Sequence, residues 1–132
     1  MRRDFSRFTE AGAILTAIGQ GSREETATFV EELDIPFPVL ADPQRRAYDT
    51  YGAIRGSSSS FLSPTTVRSA VSAVLHGMRP GRVVGDARQL GGTFIIDPEG
   101  IIRYAKPSQR AGDHPTTDEV IARVRELSLS RR

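Results

Sequence analysis

The 132 residues of this chain include no cysteine. Without a thiol these residues can form no disulfide, offer no thiolate to a metal and supply no cysteine nucleophile. Cysteine usage is also the usual guide to redox compartment, so the compartment stays open on this ground, with the cytoplasm as the default expectation. Lysine is almost absent. Lys106 is the single one among 18 basic residues, so the formal net charge of +2 reflects a small excess of arginine. Histidine occurs only at His76 and His114, too far apart for a pair of ligands on one helix turn. Long apolar runs are missing too. A bilayer-crossing helix needs about 20 predominantly apolar residues, whereas the runs here are a few residues long. The opening MRRDFSRF is basic and has no apolar stretch of the kind a secretory signal carries. Neither a membrane nor a nucleic acid is expected as a partner.

What is present describes one lean globular domain. Apolar residues make up 38% and aromatics 7%, well away from the low-hydrophobicity, high-charge regime of disorder. Phe5 and Phe8, at i and i+3, predict a short helix over residues 4–11, ended by Gly12. Residues 13–18 (AILTAI) read as a buried strand. Ser22 with Glu25 is a capping box, opening a helix over about 23–33 whose apolar face is Phe29, Val30 and Leu33. Pro36 and Pro38 confine the next strand to 39–41. Asp42 can cap, and Pro43 can begin, a helix running to about Tyr51 before Gly52.

A less regular region follows. The polar run 56–60 reads as a loop, and Ser63-Pro64 as a cap followed by a first-turn proline. Val67, Ala70, Val71, Val74, Leu75 and Met78 recur at helical spacing, predicting an amphipathic helix over 65–78. Residues 79–89 read as a loop. The most informative stretch is LGGTFIIDPEGIIRY, residues 90–104. Two apolar β-branched runs, 93–96 and 101–104, flank Asp97-Pro98-Glu99-Gly100. Proline presets φ for the second turn position and glycine closes the turn, so a β-hairpin is expected. Thr116 with Glu119 opens a final helix carrying Val120, Ile121, Val124 and Leu127. No internal repeat or linker is visible.

The candidates for chemistry are few. Gly91-Gly92-Thr93 can form a substrate-facing loop, since glycine permits close backbone approach, or simply a tight turn entering a strand. Arg79, Arg82 and Arg88 form the densest basic stretch. They can contact an anion or pair with Asp86 and nearby glutamates, and no aromatic is interleaved for base stacking. Gly19-Gln20-Gly21 lacks the third glycine of a dinucleotide loop, and Glu24 and Glu25 stand where a pyrophosphate would sit, so it reads as a strand-to-helix turn. Asp113 could orient His114 as a base, but their setting before Pro115 reads as a loop turn. Asp42, Asp86 or Asp113 could join the histidines at a metal only if the fold gathered them, and no ligand spacing supports that. No metal and no cofactor is expected.

Four stretches, residues 14–25, 37–52, 89–104 and 111–120, occur in an order that resembles the alkyl hydroperoxide reductase/thiol-specific antioxidant group, the peroxiredoxin-like redoxins. The resemblance implies an α/β chain with the thioredoxin-like three-layer α/β/α fold. It would have a central mixed sheet, a C-terminal hairpin plus helix, and one domain over 1–132 with a helical insertion at about 56–90. It implies a peroxide-reducing family whose nucleophile is cysteine, and this chain has none. In that family a first strand and a cysteine-bearing loop precede the segment with which this chain opens, and Gly91-Gly92-Thr93 stands where such enzymes place a cis-proline. The expectation is therefore an N-terminally truncated member, catalytically silent alone. The alternative is a non-enzymatic interaction module. The absent strand would lie between 13–18 and 93–97, leaving two edges that pair with each other, accept a strand from a partner or second copy, or leave the fold marginal.

Overall fold

The computed structural model describes residues 1–55, 86 and 88–130. A 3₁₀ turn (Arg2–Asp4) runs into α1 (Phe5–Glu10), followed by β1 (Ala17–Gly19), α2 (Arg23–Glu32), β2 (Val39–Ala41) and α3 (Arg46–Thr50). Further along the chain come β3 (Gly92–Ile96), β4 (Ile102–Pro107) and α4 (Thr117–Leu129). The order is that of a mixed α/β chain with a C-terminal helix. The expected helix at 65–78 and most of the loop at 79–89 lie outside the described residues.

β1 and β2 pair in parallel, with Ile18 opposite Leu40, and α2 is their crossover. β3 and β4 pair antiparallel, from Gly92 opposite Pro107 to Ile96 opposite Ile102, with an irregularity between Ile95 and Ile96. Among the described residues these are two separate two-stranded sheets, and β1 does not pair with β3. The resemblance implies one continuous mixed sheet, and the direct pairing of the two edges does not occur here. The consequence is visible in the first strand. Its paired part is three residues long because β2 offers only three partners, and Ile14, in the unpaired run before it, is 92% exposed.

The core lies where α1 meets α4. Phe8, Val120 and Ile121 are buried together, with Ala11, Ala13, Leu15 and Ile95 packed around them. Burying each large apolar side chain contributes about 1.5–3 kcal/mol. Residues 13–15 and β3 therefore rest on one core although their backbones do not pair. On α4 the predicted positions Val120, Ile121 and Val124 are buried. On α2 the prediction of the buried face is only partly met, since Phe29 and Leu33 are exposed and Val30 is half-buried. Two three-residue strands are too small a platform to cover that stripe. Thr26, Ala27 and Val30 instead line an open cleft with Phe37, Pro38 and Leu40.

Local chemistry explains the element ends. Ser22 and Glu25 form the complete capping box. The Asp42 carboxylate accepts from the N–H groups of Arg46 (3.0 Å) and Ala47 (2.8 Å), although the N-cap position of α3 is Arg45 rather than Asp42. Pro43, however, sits in a turn closed by Arg45 N–H on the Asp42 carbonyl (3.0 Å), so the helix starts three residues later than expected. In the hairpin, Asp97 Oδ1 accepts from Glu99 (3.0 Å) and Ile101 (2.9 Å) N–H, and Gly100 takes φ +82°. Residues 54–55 meet residues 89–90. Arg55 bridges Gln89, Leu90 N–H donates to the Ile54 carbonyl (3.0 Å), and Leu90 is buried.

Candidate functional site

In open α/β sheets, ligands bind beyond the carboxyl ends of parallel strands, and the densest polar cluster among the described residues stands there. Gln20 follows β1, Arg45 precedes α3, and Arg55 follows it. All three converge on Asp86. The Gln20 carboxamide pairs reciprocally with the Asp86 backbone, Nε2 donating to the carbonyl and Oε1 accepting from the N–H, both at 2.9 Å. Asp86 Oδ2 accepts from Arg45 Nη1 (2.9 Å) and from Arg55 Nη2, while Oδ1 accepts from the Arg88 N–H (3.0 Å). That backbone hydrogen bond from Arg88, with the two guanidinium groups, holds the Asp86 carboxyl below the usual carboxylate range against the opposing effect of burial.

Aromatic residues tie α3 and its end to the strands. Tyr48 donates its hydroxyl to the Ile18 carbonyl (3.0 Å), tying α3 to β1. Burial, and then the charge of Asp42, raise the Tyr48 pKa. The Tyr51 ring packs against Phe94 with centroids 4.9 Å apart, tying the end of α3 to β3.

Each candidate residue from the sequence can now be placed. Gly91 and Gly92 are exposed and Thr93 is half-buried. Gly92 and Thr93 pair in β3 with Pro107 and Lys106, and the Gly91 carbonyl accepts from Ser108 N–H (3.0 Å). Gly92 is compact for a packing reason, because a Cβ there would meet the Phe94 ring at 2.8 Å. Arg88 reaches the cluster through its backbone N–H, which donates to the Asp86 carboxylate. Arg79 and Arg82 lie outside the described residues, as does His76. His114 is exposed and its N–H donates to the Gly112 carbonyl (3.1 Å). Asp113 accepts from the Gln109 N–H instead of orienting the imidazole. Among the described residues, no three histidine or carboxylate side chains gather as metal ligands.

Gln20, Arg45 and Arg55 were not singled out by sequence, and no local signal marks them. Their separations from Asp86 are 66, 41 and 31 residues. Arg45 adopts φ +57°, a left-handed conformation that its residue type does not advertise. Chemically the cluster can neutralise and orient a carboxylate. None of its side chains can donate an electron pair to a peroxide and be recovered.

Comparison with known proteins adds a second line. A sequence profile described as AhpC/TSA antioxidant enzyme matches residues 1–110. The chain is also similar to the thioredoxin-like protein AAED1, chloroplastic, of Arabidopsis thaliana, with 28% identity over 120 residues. The match covers 84% of this chain and 48% of that protein, so the chain spans about half the length of this curated relative. No helix among the described residues is long and apolar enough to cross a membrane.

Proposed function

Given that this chain belongs to the AhpC/TSA antioxidant-enzyme family, we propose that its 132 residues form a thioredoxin-like redoxin scaffold that does not itself reduce peroxides. The observation that carries this reading is the absence of cysteine from the whole sequence. Peroxide reduction in such a fold needs a thiolate whose sulfur attacks the O–O bond, becomes a sulfenic acid and releases water or an alcohol. A serine or threonine hydroxyl is not ionised near neutral pH and has no recoverable higher oxidation state. A thiolate would have to come from outside these residues. The test is consumption of hydrogen peroxide by the purified chain with a dithiol reductant in excess. The expected rate equals that of buffer, and a saturable rate proportional to chain concentration would overturn the proposal.

A second reading is favoured by the two unjoined sheets. Residues 13–15, just before β1, and β3 rest on one core through Ala13, Leu15 and Ile95, yet β1 and β3 do not pair. In this reading the chain is an interaction module. A strand from a partner or second copy enters between them and completes one mixed sheet inside an α/β/α sandwich. Light scattering with two-dimensional amide NMR tests it. A dimer of defined mass with dispersed peaks supports self-completion, and a dispersed monomer whose β1 and β3 amides stay protected would remove the need for a partner strand.

A further inference from the structure

We propose that Gln20, Arg45 and Arg55 form a receptor for an acidic residue of a peptide, and that Asp86 is its built-in occupant. The three side chains read an aspartyl unit as a whole. Gln20 takes both the N–H and the carbonyl of the residue, each at 2.9 Å, while Arg45 (2.9 Å) and Arg55 take its carboxylate. A carboxamide pairing reciprocally with a peptide unit imitates a strand partner, and two guanidinium groups on one carboxylate supply charge-assisted bonds.

The receptor and the occupant come from different parts of the chain. Gln20 follows β1, while Arg45 and Arg55 bracket α3. Asp86 stands six residues before β3 starts at Gly92. Two positive charges face one carboxylate, whose side chain is 21% exposed, so the contact lies at the surface and within reach of a competitor. The left-handed backbone of Arg45 is held by the turn bond to the Asp42 carbonyl, which fixes where its side chain departs. Release of Asp86 therefore leaves a preorganised site complementary to an acidic peptide. A simple carboxylate such as acetate satisfies only the arginine half of it.

The experiment uses the full chain carrying Asp86→Ala, which frees Arg45 and Arg55 while the backbone of residue 86 still competes weakly for Gln20, with N-acetyl-aspartate N-methylamide as the probe. Acetate and N-acetyl-asparagine N-methylamide are the controls. Saturable shifts of the Gln20 side-chain amide and of the Arg45 and Arg55 Nε–H signals are expected, with a rise in melting temperature. Because the asparagine probe lacks the charge that the two guanidinium groups face, it should bind about tenfold more weakly or worse. Adding Arg55→Ala should abolish the response. If Asp86→Ala does not fold alone, the aspartyl probe should restore its dispersed spectrum. Equal response to both amide probes, no saturable shift on a folded variant, or no restoration of an unfolded one would overturn the proposal.

Discussion

Two adjacent glycines show how differently neighbouring residues are constrained. A methyl group at Gly92 would sit 2.8 Å from Phe94 Cε2 and 3.2 Å from Pro107 Cα, whereas one at Gly91 would meet nothing within 4 Å. The Phe94 ring is braced by Tyr51, and the Pro107 backbone is part of the β-ladder, so neither retreats freely. Gly92→Ala is therefore expected to destabilise the chain by about 1–3 kcal/mol, the usual cost of overpacking. Gly91→Ala should change stability by no more than about 0.5 kcal/mol. Urea unfolding of the two variants checks this, and equal losses would refute it. In the sequence the pair looks uniform and reads as a substrate-facing loop or a tight turn entering a strand. Only the ring of Phe94, two residues on and on the same strand face, separates the two positions.

At the scale of elements, two helices start with the same signature and use it differently. On α2 the box is complete, Ser22 accepting from Glu25 N–H (3.2 Å) while the Glu25 carboxylate accepts from Ser22 N–H (2.9 Å). On α4 Thr116 accepts from Glu119 N–H (3.2 Å), but the Glu119 carboxylate accepts instead from the Tyr104 hydroxyl (2.8 Å). The second glutamate thus joins β4 to α4 rather than closing its own cap. Burial and then this hydrogen bond raise the Tyr104 pKa above its ordinary value of 10.0. Glu119→Ala is expected to bring the Tyr104 ionisation down towards that value, while Glu25→Ala leaves it unchanged, as followed by ultraviolet titration of tyrosine. Ser22→Ala and Thr116→Ala should each cost about 1 kcal/mol in thermal unfolding. The caps themselves were legible because each bond spans three residues. The diversion of Glu119 was not, because its partner lies 15 residues away on another element.

For the molecule as a whole, pH separates the parts. Asp86 has a folded-state pKa below its ordinary 3.8, so its contribution to stability is present above that value and is lost as pH falls through the folded pKa. Acidification below about pH 4 is expected to release residues 88–90 from the ends of β1 and α3. The Phe8, Val120 and Ile121 core holds no ionisable group and should persist longer. Amide exchange at Gln89 and Leu90, compared with Ile121, reads this. Asp86→Asn should show faster exchange at the first two already at neutral pH and no acid step. A step of the same size in that variant would assign the transition to other carboxylates.

The residues alone determined the exclusion of thiol chemistry, the positions of α2, β2, the β3–β4 hairpin and α4, and the turns that end them. Those features depend on side-chain types and on hydrogen bonds between near neighbours in the chain. Tertiary structure decided which faces are buried, and there sequence periodicity failed for α2, because a helix stripe is covered only if a sheet of sufficient width lies beneath it. It also decided that the run before β1 and strand β3 share a core although β1 and β3 do not pair. The gathering of Gln20, Arg45 and Arg55 on Asp86 likewise follows from packing, since contacts across 31 to 66 residues leave no periodic or local trace in the chain.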